Sequence, residues 1–302
     1  MANSTPDGNH TAKGQALFCS TRHYGLPQKI FILTLNVPMS ITTILGNVLI
    51  IAALQRVHSI HPPSKVLLRW LMGTDLVMGL LSQPLFVSFL TSQEHSVTCN
   101  HLKTLFYTTA TLLGLGLILT LTAISVDRLF SLLLGLRYRQ LVTKKRVRVT
   151  MSLLWLLSAV IASTFIYQPF VTTSSVYTTG FLCVIASTFC YLKIYLRLRQ
   201  LQTQVNVQGQ FGRGETFNIA RYKKTVTGVV WVQITLVICY VPHGIAQAIF
   251  AFTESNTPSF NFVWDVTISM AFLTSTLNPF LYCWKVREVT RALKDTVRPL
   301  FC

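Results

Sequence analysis

Residues 104–128 read TLFYTTATLLGLGLILTLTAISVDR, an uncharged stretch that ends in an adjacent acid and base, Asp127 and Arg128. A helix needs about 20 apolar residues to cross the hydrocarbon core of a bilayer, so this stretch is long enough to span a membrane. A charge near the middle of such a helix costs about 2.5–3.5 kcal/mol on insertion scales. Two interpretations of the pair stay open here: a helix end where charges meet lipid headgroups, or a functional element.

The composition of the whole chain is that of a membrane protein. Of the 302 residues, 51% are hydrophobic and only 12% are charged, whereas about a quarter of the residues in soluble domains are charged. Seven apolar segments of spanning length occur, at about 30–54, 66–91, 104–127, 151–171, 174–196, 225–252 and 259–283. The sequence therefore predicts an all-α membrane protein, a bundle of seven transmembrane helices.

The basic residues predict how the bundle is oriented. The side that holds the amino terminus carries few of them, namely Lys13, Arg22, Lys29 and Lys103, and all others fall on the opposite side. Cytoplasmic loops carry an excess of Lys and Arg, so the amino terminus is predicted outside and the carboxyl terminus inside. The sequons at Asn3 and Asn9 agree, because glycosylation requires the exterior. We expect a multi-pass plasma-membrane protein without a cleavable signal peptide.

The net charge of +17 does not indicate a nucleic-acid partner, because the basic residues lie in short clusters between apolar segments. We assign residues 1–29 to a glycosylated extracellular tail, 30–284 to the seven-transmembrane domain and 285–302 to an amphipathic helix with the carboxyl-terminal tail. Within the domain, the polar stretch 200–218 is expected to be a flexible loop. That helix would lie along the membrane lipids of the inner leaflet. Cys19 and Cys99 both face the oxidising exterior, so a disulfide between them is one interpretation and free thiols the other.

Polar residues at matching depths predict a buried network in the bundle. Asp75 is the one carboxylate in the middle of a span, and an intramembrane acid indicates a functional site. Asn47 and Asn278 lie near the middle of the first and seventh spans. Pro279 breaks the helix ladder beside Asn278 and frees backbone groups for water. We expect these side chains to share one network.

The ordered set of these motifs resembles the rhodopsin-like (class A) G-protein-coupled receptors, nearest in character to the melanocortin and adenosine branch. The matching residues are Gly46-Asn47, Leu71 to Leu76, Asp127-Arg128-Leu129, Trp155, Tyr191, Pro242 and the NPFLY motif from Asn278 to Tyr282. Some positions depart from the family pattern. Leu129 replaces the usual tyrosine, Tyr240 replaces the usual tryptophan, and the second extracellular loop, about 168–174, is short and lacks a cysteine.

The resemblance implies a receptor that binds an extracellular ligand and activates a heterotrimeric G protein. It implies a set of residues for coupling and switching, which are Asp127, Arg128, Leu136, Tyr191, Asn278, Pro279 and Tyr282. It also implies a role in signal transmission for the polar network, which comprises Asn47, Asp75, Ser275 and Asn278. A sodium ion at Asp75 is the expected allosteric modulator, with a purely structural network as the alternative. No other cofactor is expected.

The resemblance places a ligand pocket between the third, fifth, sixth and seventh spans. Its residues are Thr111, Gly114, Tyr240, His243, Gln247, Trp264 and Asp265. The third span offers no acid there to pair with an amine, so we expect a weakly charged small molecule, a lipid or a short peptide rather than a monoamine. A core histidine with no ligand role is the alternative for His243.

Two other function classes deserve comparison with the receptor hypothesis. A transporter or ion channel would use Asp75 as a proton or ion relay, but the internal repeats common in transporters are not recognisable. An enzyme is not indicated, since metal-ligand spacing, a nucleophile elbow and a phosphate loop are missing from the sequence.

In many class A receptors a sixth-span acid restrains the arginine of the third span. Here Arg221, Lys223 and Lys224 occupy that region, which predicts agonist-free signalling.

Overall fold

The computed structural model is a bundle of long helices. It describes residues 24–57, 61–92, 96–208, 213–253, 257–285 and 290, with side chains for all of these except 136, 204–208, 213–225, 229, 284 and 285. Within these residues, seven helices are long and apolar enough to cross a membrane. We number them as spans 1 to 7: Leu26–Arg56, Pro62–Thr91, Val97–Leu134, Lys144–Ile166, Pro169–Thr203, Val226–Thr253 and Pro258–Cys283.

The predicted seven-helix fold is thus confirmed, and the helices extend beyond most of the apolar segments. Span 2 contains a π-helical turn, Met78–Ser82, and span 4 ends in a 3₁₀ turn, Thr164–Ile166. A 3₁₀ turn, Gly135–Arg137, and a short helix, Tyr138–Leu141, connect spans 3 and 4. The helices that contain spans 5, 6 and 7 run over Pro169–Gln208, Arg213–Thr253 and Pro258–Lys285.

Local sequence explains where the helices begin. Prolines occupy the first helical position at Pro62, Pro169 and Pro258, where the missing N–H has no intrahelical partner to lose. Ser96 caps span 3, because its side chain accepts a hydrogen bond of 3.0 Å from the backbone N–H of Cys99. Gly135 closes the same helix with φ of +51°, a conformation that favours glycine.

Two expectations about loops were wrong. The polar stretch 200–218 was expected to be a flexible loop, yet the helix of span 5 continues to Gln208 and the next helix begins at Arg213. No Gly or Pro occurs between residues 200 and 208, and Gln and Leu favour helix. The second extracellular loop was expected at about 168–174, but only Tyr167 and Gln168 separate the two helical segments.

The bundle packs around span 3, which contacts spans 2, 4, 5 and 6, while span 7 packs against spans 1 and 6. We call the end of the bundle where span 1 begins at Leu26 the N-face, and the end where it terminates at Arg56 the C-face. One apolar cluster, which includes Phe86, Phe106 and Trp264, fills the half next to the N-face. Two others fill the half next to the C-face. The polar residues described below lie between and beside these clusters.

Candidate functional site: a polar chain along the bundle axis

The predicted network in the middle of the bundle is present. The side-chain amide of Asn278 donates a hydrogen bond of 2.7 Å to Oδ2 of Asp75. The amide of Asn47 donates to the backbone carbonyl of Ser275 at 3.3 Å, and the Ser275 hydroxyl lies beside the Asp75 carboxylate. Asn47, Asp75 and Asn278 are all fully buried. Spans 1, 2 and 7 therefore meet at one buried carboxylate.

Close packing around Pro279 holds this network together. A Cβ atom built on Gly46 would lie 2.9 Å from Cγ of Pro279, so spans 1 and 7 approach each other as closely as a glycine permits. The hydroxyls of Thr43 and Thr276 are 2.8 Å apart across the same contact. This contact fixes the distance between the helices that carry Asn47 and Asn278.

Asp127 is the centre of a second cluster, near the C-face. Its Oδ2 atom forms an ion pair of 2.6 Å with the guanidinium of Arg128. The same oxygen accepts a hydrogen bond of 2.8 Å from Ser64 on span 2, and Oδ1 accepts one of 2.6 Å from Tyr138. The ion pair that the sequence suggested is formed, and two neighbouring segments hold its carboxylate in place.

Burial shifts the pKa values of two residues near Asp127, Tyr138 and His61. Burial and the adjacent Asp127 charge raise the pKa of Tyr138 to about 12, so its hydroxyl keeps its proton and donates at any physiological pH. His61 stacks against Tyr138, with ring centroids 5.0 Å apart. Burial lowers the pKa of His61 from its ordinary value of 6.5, so this ring is predominantly neutral at pH 7.

Other residues expected to take part in switching lie beside this cluster. Tyr191 of span 5 shares a hydrogen bond of 2.6 Å with Ser125, one turn before Arg128. Tyr282 of the NPFLY motif is buried in the apolar cluster that Tyr191 also contacts. Leu129 packs with Cys190, Ile194, Leu198 and Val226. The side chains of Leu136, Arg221, Lys223 and Lys224 lie outside the described part of the chain.

Toward the N-face, four residues of the predicted ligand pocket contact or adjoin one another. Nδ1 of His243 lies 3.1 Å from the Thr267 hydroxyl, and the His243 ring meets Trp264 edge to face at 5.2 Å. The indole N–H of Trp264 donates to the hydroxyl of Tyr107 at 3.2 Å. Tyr240 lies one turn deeper, against Gly114, where a built Cβ would be 3.5 Å from its hydroxyl.

The remaining predicted pocket residues lie around this group. Asp265 is fully buried and accepts a hydrogen bond of 2.8 Å from Tyr24, the residue that precedes span 1. Thr111 and Gln247 are partly buried on spans 3 and 6. The Tyr24 bond joins the segment before span 1 to span 7, so Asp265 has a structural partner at the N-face.

Several residues that complete these clusters were not identified from the sequence, and they share one property. Each contacts its cluster from a distant or unremarkable segment, with no local motif to indicate it; they are Tyr24, Ser64, Tyr107, Ser125, Tyr138 and Thr267. Tyr138 is the clearest case, because it stands eleven residues after Asp127 in a short helix. A search for aromatic hydroxyls near each end of a span could have found Tyr107 and Tyr138.

The cysteines divide into two groups. Cys183, Cys190, Cys239 and Cys283 are free thiols on spans 5, 6 and 7. Cys99, at the start of span 3, is disulfide-bonded, and its partner lies outside the described residues. The sequons at Asn3 and Asn9, Cys19 and almost all of the predicted amphipathic helix 285–302 lie outside them as well.

Comparison with known proteins places the sequence in a family of membrane receptors. Residues 46–186 and 166–282 match the family described as 7 transmembrane receptor (rhodopsin family). The chain is 24% identical to the adenosine receptor A3 of Ovis aries over 279 residues, 85% of this chain and 86% of that receptor. It is 24% identical to the histamine H2 receptor of Cavia porcellus (91% and 80% covered) and 19% identical to the melanocortin receptor 5 of Mus musculus (98% and 91%).

Proposed function

The chain belongs to the rhodopsin family of seven-transmembrane receptors, and we propose that the Asp127–Arg128 pair is the switch through which it activates a G protein. Members of this family are G-protein-coupled receptors, so the transporter or channel alternative is not favoured. The main observation that supports this proposal is the ion pair of 2.6 Å near the C-face. Its carboxylate also accepts hydrogen bonds from Ser64 and Tyr138. An element of this kind has two discrete arrangements, paired and released, which a ligand can populate differently.

We propose that the N-face is extracellular and the C-face cytoplasmic. The support is the distribution of Lys and Arg, which are concentrated between spans 1 and 2, between spans 3 and 4, and around the junction of spans 5 and 6. The sequons at Asn3 and Asn9 agree with this orientation. In the plasma membrane, Arg128 would then face the G protein. Cys99 would stand in the oxidising exterior, and we propose Cys19 as its disulfide partner.

We propose that the ligand binds near the N-face, against Tyr240, His243 and Trp264. These residues combine apolar rings with a small number of hydrogen-bonding groups, which is the usual composition of small-molecule sites. Thr111, Gly114, Gln247 and Asp265 belong to the same proposed pocket. The relatives are named as adenosine, histamine and melanocortin receptors. These names refer to three chemically different ligands, so the sequence similarity does not identify the ligand of this chain.

A monoamine is not the ligand that we propose. Span 3 carries Ala110, Thr111 and Gly114 at the level of Tyr240, and none of these can pair with a cationic amine. We favour a weakly charged small molecule, a lipid or a short peptide. This expectation holds even though a histamine receptor is among the relatives, because an ion pair with an amine needs an accessible carboxylate. Asp265, the carboxylate of the proposed pocket, is fully buried and accepts a hydrogen bond from Tyr24.

We propose that the Asp75 network holds water or a sodium ion. Oδ1 of Asp75, the Oδ1 atoms of Asn47 and Asn278, and the Thr274 hydroxyl are buried and have no hydrogen-bond partner within the described part of the chain. Hard cations take several oxygen ligands, and this donor set consists of oxygens. The residues therefore fit a hydrated sodium ion. Leu117 of span 3 is apolar and contributes no oxygen ligand.

The test is nucleotide exchange on a G protein in membranes that express the receptor without agonist. Arg128→Ala should abolish the exchange, because the cationic contact with the G protein is lost. Asp127→Asn should increase it, because the ion pair that restrains Arg128 is broken. Surface expression must be matched between variants. Wild-type exchange no higher than that of Arg128→Ala would show that apolar packing of Leu129 restrains the resting state instead. Unchanged exchange in Asp127→Asn would contradict the switch.

A further inference from the structure

Span 2 carries a buried polar side chain that has no hydrogen-bond partner in the described part of the chain, and it lies outside the pocket described above. The side chain of Gln83 is fully buried, and neither its carbonyl oxygen nor its amide nitrogen has a hydrogen-bond partner among the residues that the structure describes. The hydroxyl of its neighbour Ser82 is buried and unpartnered in the same sense. Burying an amide without hydrogen bonds opposes folding, so such a group requires an explanation.

Contacts between spans 1, 2 and 7 locate the level of Gln83 in the bundle. The Ser40 hydroxyl of span 1 donates to the backbone carbonyl of Gly79 in span 2 at 2.8 Å. One turn closer to the N-face, span 1 carries Asn36 and span 2 carries Gln83. Asn36 is fully buried and donates at 2.8 Å to Ser269 of span 7, and its Oδ1 has no partner in the described chain.

The backbone at this level is also unusual. Span 2 adopts the π-helical turn Met78–Ser82 immediately before Gln83, and Pro84 follows, without an N–H for the helix ladder. A π-helical turn inserts one extra residue and rotates the side chains that follow it, and such turns are frequent at functional sites. Here the turn precedes the buried amide of Gln83.

Aromatic side chains pack one turn beyond Gln83. Phe86 meets Phe272 of span 7 edge to face at 5.7 Å and lies 5.1 Å from the Phe106 ring. The same apolar cluster includes Trp264 of the proposed pocket. Gln83 therefore lies one turn from the apolar cluster that reaches Trp264 of that pocket. Its level combines flat apolar rings with neutral hydrogen-bonding groups that have no partner among the described residues.

We propose that Gln83, with Asn36 and Ser82, forms a second polar end of the ligand pocket between spans 1, 2 and 7, and that it binds a neutral carboxamide-like group carried on an aromatic body. The amide of Gln83 offers one acceptor and two donors, which a carboxamide complements with its own donor and acceptor. A charged group would lose its hydration to neutral partners alone, which is costly. This inference rests on the proposed ligand-binding function and specifies the ligand class.

Benzamide is the probe, because it carries a carboxamide on one aromatic ring. Benzoate and benzylamine have the same ring with a negative or a positive charge. The purified receptor in lipid nanodiscs is heated with increasing concentrations of each compound, and its melting temperature is recorded. We expect benzamide to raise the melting temperature saturably, and benzoate and benzylamine to leave it unchanged. The measurement uses no G protein, so it stands independently of the switch test.

Two substitutions locate the effect. Gln83→Met removes the amide at nearly constant volume, and it should weaken the apparent benzamide affinity at least tenfold. Gln233→Met is the matched control, since Gln233 is a second buried glutamine, on the C-face half of span 6, with an unpartnered carbonyl oxygen in the described chain. This variant should respond as the wild type does. If Gln83→Met does not fold, Gln83→Leu takes its place.

Three outcomes would overturn the inference. A benzamide response of equal affinity in wild type and Gln83→Met would locate binding elsewhere. No response up to the solubility limit of benzamide would show that water alone occupies the site. Equal responses to benzamide, benzoate and benzylamine would show that the aromatic ring binds without recognition of the amide.

Discussion

At the scale of single residues, Asp127 shows how a local motif depends on distant partners. Its two oxygens accept from Arg128 in the same helix, Ser64 in span 2 and Tyr138 in the short helix after span 3. Hydrogen bonds to a charged acceptor are roughly twice as strong as neutral ones. Ser64 and Tyr138 therefore hold the carboxylate that in turn holds Arg128, and in the proposed switch they would restrain Arg128 indirectly.

Tyr138→Phe should raise agonist-free activity. The substitution removes a hydrogen bond to a charged group, worth about 1.5–3 kcal/mol, and leaves the ring contact with His61 in place. If half of that energy favours the resting state, the ratio of active to resting receptor rises roughly three- to twelvefold, since about 1.4 kcal/mol corresponds to a factor of ten. Nucleotide exchange in membranes at matched surface expression measures this change.

The control for this prediction is Tyr195→Phe, because Tyr195 lies 61% exposed on the outer surface of span 5. It should leave exchange unchanged. Exchange in Tyr138→Phe that equals the wild-type value would show that Arg128 and Ser64 alone hold the Asp127 carboxylate in its resting position.

The sequence predicted the two charged residues of this cluster but not their neutral partners. Asp127 and Arg128 stand out because charge is rare in an apolar run, a signal that any single sequence carries. Ser64 and Tyr138 become significant only when spans 2 and 3 and the connecting helix are packed together. The other buried polar groups divide in the same way. Asp75, Asn47 and Asn278 were recognisable from the cost of burying them. The amide of Gln83, which has no partner among the described residues, follows a π-helical turn that has no sequence signature.

At the scale of elements, spans 3 and 5 are joined by a hydrogen bond between the hydroxyls of Ser125 and Tyr191, 2.6 Å apart. Ser125 also donates to the carbonyl of Leu121 in its own helix, so Tyr191 is held against span 3. In the proposed active state Tyr191 lies beside the released Arg128. Tyr191 thus takes part in both states. Removing the Ser125 hydroxyl and removing the Tyr191 hydroxyl should therefore change activity differently.

Ser125→Ala and Tyr191→Phe should change activity in opposite directions. Ser125→Ala releases Tyr191 from its resting partner, and it should raise agonist-free nucleotide exchange several-fold. Tyr191→Phe removes the hydroxyl that the active state requires, and it should lower exchange below the wild-type value. Thr122→Val is the control one turn earlier, where the hydroxyls of Thr122 and Ser187 are 3.4 Å apart and interact weakly. Equal effects of Ser125→Ala and Tyr191→Phe would contradict separate roles.

The existence of the spans was predictable and their ends were not. Length and hydropathy specify a membrane helix, because a bilayer demands about 20 apolar residues whatever the partner helices are. Helix ends in the polar regions depend instead on caps and on propensity. The helix of span 5 continues to Gln208 through a stretch without Gly or Pro, and the helix before it ends only two residues from Pro169.

At the scale of the whole molecule, the three polar clusters lie in order along the bundle. The group around His243 and Trp264 is near the N-face, the Asp75 network is in the middle, and Asp127 is near the C-face. Tyr240 connects the first two, since it lies between His243 and the level of Asp75 on span 6. Span 3 runs past all three levels and contacts spans 2, 4, 5 and 6. A displacement of span 6 or 7 against span 3 would therefore change the first two clusters directly. It would reach the Asp127 cluster only through apolar packing, since Leu129 of span 3 packs with Val226 of span 6.

Asp75 is the point where this axial arrangement is most directly testable. Its carboxylate accepts a hydrogen bond from Asn278 beside Pro279. We propose that a hydrated sodium ion is held by the oxygens around it that have no partner among the described residues. An ion that binds only the resting arrangement stabilises that arrangement by RT ln(1 + [L]/Kd). At a concentration tenfold above its dissociation constant, this is about 1.4 kcal/mol, enough to lower the active fraction about tenfold.

Replacing sodium with the bulky cation N-methylglucamine at constant ionic strength should therefore raise agonist-free nucleotide exchange of the wild type. Asp75→Asn removes the only charged oxygen ligand of the network, so its exchange should be the same in both salts.

Asn36→Leu is the control, because it removes another buried amide between spans 1 and 7 without touching the Asp75 ligands, and it should keep the sodium response. If wild-type exchange is equal in the two salts, the network is held by protein and water alone. If Asp75→Asn retains the response, the ion acts elsewhere. Since constant ionic strength leaves screening of the exposed Lys and Arg residues unchanged, a difference confined to receptors with the Asp75 carboxylate would assign the effect to the middle of the bundle.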